Sequence, residues 1–241
     1  MKLVTSLLSI LMLVGATNVR AADKGKADGK GKEPGKAPVG AKPLVENDRV
    51  RVVNVKIKVG DKLASHSHPG HVTYTVKGGQ LKFTVDGKSH VENWKAGEVT
   101  WHDAVTHSVE NVGKEAVEGI VVELKDGGKL SAKPKGDDPV KVSPKNYKVR
   151  LENDRVRVLE GKFKAGEKSP MHSHPDSVVY AVKSGKAKFV FPDGKSQDVE
   201  LKQGEAMFND AFAHAPENSG KTDIHVILVE LKGGTPTKGK K

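Results

Sequence analysis

At 241 residues the chain has room for two domains of about 100 residues each, and without cysteine it has neither disulfides nor a cysteine-linked lipid. Its net charge of +11 looks like a nucleic-acid signal until it is located: residues 1–21 carry +2, 22–43 carry +3, 126–147 carry +2 and 233–241 carry +3, ten of the eleven. The remaining body is nearly balanced, which excludes an evident basic face for nucleic acid.

In chain order, Lys2 supplies a basic start, residues 3–16 are almost wholly apolar, and Val19, Arg20 and Ala21 form a small-x-small cleavage site before Ala22. This layout predicts a secretory signal peptide over 1–21, the apolar run being short for a membrane span; an uncleaved N-terminal anchor is the alternative. The protein is thus expected to be periplasmic or secreted. Residues 22–43, rich in Lys, Gly and Pro, predict a disordered arm whose one functional option is weak, salt-sensitive contact with anionic envelope surfaces.

From residue 44 the chain repeats itself. Glu46-Asn-Asp-Arg-Val-Arg-Val52 recurs letter for letter from Glu152 to Val158, an offset of 106 that also takes Gly60 to Gly166, His66 to His172 and His68 to His174. One inserted residue near Pro192 makes the offset 107, which takes Gly97 to Gly204, His107 to His214 and Asn111 to Asn218. The duplication predicts two domains, 44–125 and 148–232, separated by a linker over 126–147 and followed by a basic tail over 233–241.

Within a copy, Val53, Val55, Ile57 and Val59 alternate with Asn54, Lys56 and Lys58, and turns fall at Asp86-Gly87, Ala96-Gly97, Asp193-Gly194 and Gln203-Gly204. Asp-Gly between alternating apolar residues is a strong hairpin signal, and no segment after residue 21 sustains a helical period. The expectation is an all-β protein built twice.

In each copy five residues separate a glycine from His-x-His: Gly60 from His66 and His68, Gly166 from His172 and His174. Residues two apart on a strand point the same way, so each pair of imidazoles shares a face. A third histidine, His107 or His214, ends a later strand about 40 residues on. Three converging neutral imidazoles make an open-sided site for a divalent transition metal, Fe, Zn, Cu, Ni or Mn, one per domain.

These motifs resemble those of the cupin family. The first cupin motif is matched by Gly60, His66, His68 and Gly79 and again by Gly166, His172, His174 and Gly185; the second by Gly97, His107 and Asn111 and by Gly204, His214 and Asn218. The resemblance implies a double-stranded β-helix, or jelly-roll barrel, in each domain. It also marks a departure, because the family's glutamate ligand falls at Val72 and Val178, and this argues against oxalate-type chemistry. Three-histidine cupins include dioxygenases, so the resemblance extends to oxygen chemistry on a small organic anion.

Other residues are open to two readings. Tyr74 and Tyr180 either line the cavity or pack in the core; Asp103 and Asp210 either orient a histidine or form turns. His71 and His102, present only in the first copy, are read as surface residues, with a fourth ligand as the alternative. No catalytic acid or base is evident. The function classes are a metalloenzyme on a small molecule, a non-catalytic metal-binding or storage protein, and a small-ligand-binding module.

Overall fold

A computed structural model describes residues 43–132 and 134–233; the predicted signal peptide, the arm up to residue 42 and the tail from residue 234 lie outside the described residues. The first copy runs β1 (Val45–Glu46), β2 (Val50–Ile57), β3 (Lys62–His68), β4 (His71–Lys77), β5 (Gly79–Val85), β6 (Lys88–Trp94), β7 (Val99–His102), β8 (Val105–Asn111) and β9 (Val117–Leu124). A short helix, α1 (Pro139–Val142), precedes the second copy. That copy comprises β10 (Tyr147–Glu152), β11 (Val156–Phe163), β12 (His172–His174), β13 (Ser177–Lys183), β14 (Gly185–Val190), β15 (Ser196–Leu201), β16 (Ala206–Asn209), β17 (Phe212–Asn218) and β18 (Ile224–Leu231).

Each copy folds into one five-stranded and one four-stranded sheet: β1-β2-β9-β4-β7 with β3-β8-β5-β6, then β10-β11-β18-β13-β16 with β12-β17-β14-β15. The all-β, two-jelly-roll expectation therefore holds. No ladder joins the two sheets of a copy among the described residues, so each is a pair of facing sheets rather than a hydrogen-bonded cylinder.

Turn chemistry works as the sequence implies. Asp86 and Gly87 both adopt left-handed backbone, with φ of 48° and 76°, and carry the chain straight from Val85 to its ladder partner Lys88. In the second copy the inserted residue lengthens this turn, and Phe191 N donates to Lys195 O across Pro192, Asp193 and Gly194. Gly79 and Gly185 are required for a different reason: a Cβ there would lie 2.7 Å from Val117 Cγ2 or Ile224 Cγ1.

The two copies are not independent domains. The outer faces of the two five-stranded sheets pack on one another, and one core is built from Val50, Val52, Val72, Ile120, Val122 and Leu124 of the first copy with Val156, Val158, Val178, Ile227, Val229 and Leu231 of the second. Tyr74 and Tyr180 meet in it with ring centroids 5.9 Å apart, so they are core residues and do not face a cavity. The expected alternation in β2 needs the same correction. Val50 and Val52 bury one face while Val53 and Ile57 bury the other, and Val59 lies beyond the strand, 55% exposed.

Arg49 ties the copies together at the rim. Its guanidinium donates to Asp176 at 2.7 Å, pairs with Asp210 at 2.8 Å and lies 4.3 Å over the Phe208 ring. The segment predicted as a linker is also bound to the second copy. Ser131 N donates to Asp176 Oδ2, Ser173 N donates to Asp137 O, and Asp138 caps α1 by accepting from Val140 N.

Candidate metal centres

The strand pairing brings the histidines together. His66 lies directly opposite His107 in the β3–β8 ladder, and His172 opposite His214 in the β12–β17 ladder. His68 and His174, two residues on, share the face. Ring centroids in the first copy are 4.8 Å (His66–His107), 4.9 Å (His66–His68) and 5.2 Å (His68–His107); in the second they are 4.9, 5.0 and 5.4 Å. One ligand atom from each residue lies within 4.8 Å of the others in both groups, so both could hold a metal ion.

Hydrogen bonds settle which nitrogen faces inward. His66 Nδ1–H donates to Ala64 O at 2.7 Å and His172 Nδ1–H to Pro170 O at 2.7 Å; a carbonyl can only accept, so in each ring Nε2 keeps its lone pair. His68 and His174 donate from Nδ1 to Glu123 Oε1 (2.6 Å) and Glu230 Oε1 (2.7 Å). A carboxylate behind an imidazole is the arrangement that orients metal-binding histidines. In the second copy Arg157 Nε donates to Glu230 Oε2 at 2.6 Å and Arg157 also pairs with Asp138; in the first, Arg51 lies 3.8 Å from Glu123.

This explains the longest repeated motif. In Glu-Asn-Asp-Arg-Val-Arg-Val, the asparagine accepts from the two backbone amides that open the strand, the valines fill the shared core, and the second arginine faces the glutamate. The asparagine of the second motif is structural too: Asn111 Nδ2 donates to Ile57 O and Glu115 O, and Asn218 Nδ2 to Phe163 O and Thr222 O.

Burial favours the neutral form of His107, His172 and His214. Desolvation, reinforced by the neighbouring histidines, pushes His107 and His172 down to about 4 and His214 to about 2. His174 Nε2 and both ring nitrogens of His214 are buried without a hydrogen-bond partner. Such orphans are costly unless something else satisfies them, and a cation would satisfy the lone pairs of His174 Nε2 and of one His214 nitrogen. The donor set therefore fits a borderline divalent metal. These shifts have a consequence for the metal-free protein. The unfolded chain takes up protons at these three histidines below their ordinary value of 6.5, while the folded chain holds them neutral to lower pH. Stability is therefore complete above pH 6.5 and is lost as pH falls toward 4. The thermal midpoint of apoprotein should fall across that window, less steeply for His214→Gln; a flat profile would contradict neutral burial.

Several expectations are corrected by the sheet faces. Val72 and Val178 point away from the histidines into the shared core; the cavity-facing neighbours are Thr73 and Val179. Neither carries an acid, so the departure from the cupin pattern stands at a different residue. His71 is no surface histidine. It is 4% exposed, faces the cavity with its ring 4.9 Å from His68, and stacks at 5.0 Å on His102, which also lines the cavity. Asp103 and Asp210 touch no histidine of the triads; Asp103 accepts from Trp101 Nε1 and Asp210 pairs with Arg49.

The two sites differ in the space before them. In the first copy the triad opens on a cavity of about 460 Å³ lined also by His71, Glu92, Trp94 and Trp101. In the second the space is about 60 Å³. Ladder positions show the cause: Glu92 is replaced by Val199, Trp94 by Leu201, His102 by Asn209 and Thr100 by Met207, while Tyr147 enters from β10.

Fold and sites define a duplicated jelly-roll protein with a histidine triad in each half. Residues 159–230 match the family model described as the cupin domain. Among solved structures the chain is similar to AerE from Microcystis aeruginosa (TM-score 0.54, 16% identity, 79% of this chain and 96% of that one). It is also similar to a variant of oxalate decarboxylase from Bacillus subtilis (TM-score 0.56, 12% identity, 84% and 78%). No curated protein matches it in sequence. The family match thus falls on the second copy, and the first copy repeats its histidine spacing and its pair of sheets.

Proposed function

We propose that this chain is an exported metal-binding bicupin, and that its first copy is a metalloenzyme site acting on a small organic anion. The supporting observation is the cavity of about 460 Å³ on whose wall His66, His68 and His107 present their ring nitrogens. Its volume lies within the range of small-molecule sites, and its lining combines aromatic and aliphatic walls with a cluster of histidines. Three neutral imidazoles do not compensate a dication, so the open positions favour an anionic ligand. A metal held there supplies Lewis acidity to a bound oxygen donor. Glu123 orients His68 from behind, and Trp94 and Trp101 shield the ligand from water. Export rests on the N-terminal pattern alone, and a mature N-terminus at Ala22 is its test.

A second reading, a non-catalytic metal-binding or storage protein, is favoured by one observation. Both acids on the cavity wall are already engaged: Glu92 accepts from His90 Nε2 at 2.9 Å and Trp94 Nε1 at 3.0 Å, and Asp103 accepts from Trp101 Nε1 at 3.0 Å.

The experiment is elemental analysis of untagged protein recovered from the periplasm, beside the variants His66→Ala/His107→Ala and His172→Ala/His214→Ala. About two ions per chain are expected, one lost in each variant. Metal content equal to that of the variants would sink the reading. The chain's two tryptophans both line the first cavity, so their fluorescence reports that site. Saturable quenching by small carboxylates that requires His66 and His107 favours the enzyme; metal without such binding favours the carrier.

A further inference from the structure

The second triad has a neighbour with no counterpart at the first among the described residues. Tyr147 opens β10, is 4% exposed, and stands edge-on to His172 and His174 with ring centroids at 5.1 and 5.8 Å. Its hydroxyl lies 3.2 Å from His172 Nε2. Because His172 Nδ1–H is committed to Pro170 O, Nε2 accepts and the Tyr147 O–H donates. At the offset of the repeat, the first copy has Ala41 in place of Tyr147, a residue with no side-chain donor.

Nitrogen and oxygen donors bind one transition-metal ion at about 2.0–2.2 Å, which sets two ligands of a common ion roughly 3–3.5 Å apart. The separation of Tyr147 oxygen from His172 nitrogen, 3.2 Å, falls in that window. The surrounding space of about 60 Å³ has no room for an organic substrate. His174 Nε2 and His214 Nε2 are buried and unpartnered in the same pocket. The chain leading into Tyr147 is pinned from both sides: Asn146 Nδ2 donates to Lys162 O, Ser143 Oγ to Asn146 Oδ1, and Lys162 N to Asn146 O. Phe163 packs edge-on against the ring at 5.4 Å.

From this geometry we infer that Tyr147 is the fourth protein ligand of a metal held by His172, His174 and His214, making the second copy a closed four-donor site beside an open three-donor site in the first. On binding, the Tyr147 O–H bond is exchanged for an oxygen–metal bond and one proton leaves to solvent. The phenolate supplies a negative charge directly to the ion. The site then anchors the inter-copy segment to the second sheet pair rather than turning over a substrate. The inference rests on the metal-binding reading above.

The test uses the full chain with His66→Ala/His107→Ala, so that only the second triad remains, titrated with ferric ion. Binding of one ion per chain with a visible phenolate-to-iron charge-transfer band is expected. Adding Tyr147→Phe should abolish the band and weaken binding by at least about tenfold, as losses around metal sites do. Should Tyr147→Phe fold poorly, resonance Raman spectra of the protein retaining Tyr147 must still show iron-phenolate modes. Iron bound without these signatures, or bound equally or more tightly after Tyr147→Phe, overturns the inference and makes the hydroxyl a cap on His172. No iron bound at all overturns the metal reading of the second copy together with it.

Discussion

A chain ending at Lys125 will self-associate or precipitate instead of folding as a monomer. The reason is the shared core. Val50, Val52, Val72, Tyr74, Ile120, Val122 and Leu124 are at most 7% exposed in the intact chain, and all seven pack in the cluster built with the second copy. Burying one such side chain is worth about 1.5–3 kcal/mol, so the set contributes on the order of 10 kcal/mol or more. That is comparable with the whole stability of a typical domain, about 5–15 kcal/mol. An isolated half would also present an apolar sheet face to other copies, a surface monomers rarely tolerate. Size-exclusion chromatography with light scattering decides the matter. A monomeric half that unfolds cooperatively would show that the sheet pair is dispensable.

Restoring the family's glutamate in register with the motif will be harmful. Val72→Glu places a carboxylate among Val52, Val122 and their partners from the second copy, with no cation within the cluster. Burying an unpaired charge of this kind costs several kcal/mol, more than most single substitutions. Thr73→Glu, one residue on, points into the cavity of about 460 Å³ beside His68 and His71. It is expected to retain the fold with a smaller loss and to tighten metal binding in the first copy, since it adds the missing negative donor. Urea denaturation of the two variants, with metal titration of the second, separates the cases. Equal stability would mean that the assigned sheet faces are wrong.

The contrast between residues 72 and 73 shows where reading the chain alone stops. Counting along a motif finds the position of a missing ligand to within one residue, but on a strand one residue is the difference between two faces. His66 and His68 escaped this ambiguity because both lie on one strand at the same parity, and the repeat at His172 and His174 confirmed the spacing. The buried carboxylates Glu123 and Glu230 were within reach: each is the one acid in an otherwise apolar stretch, Ile120-Val-Val-Glu-Leu and Ile227-Leu-Val-Glu-Leu, at the same place in both copies. What hid them was partnership. Which strand lies beside β9 or β18 depends on crossovers, and no local pattern records them.

Two strand-rich copies, their turns and the grouping of histidines by parity were therefore determined by the sequence itself. They depend on interactions between residues near in the chain, read twice over. Tertiary structure alone decided that the copies share a core, that the segment over 126–147 packs on the second copy, and that the cavities are unequal. Those outcomes follow from which faces meet and how side-chain volumes sum. Both His-x-His pairs read alike in the sequence. Only packing set one before a space of about 460 Å³ and closed the other with Tyr147.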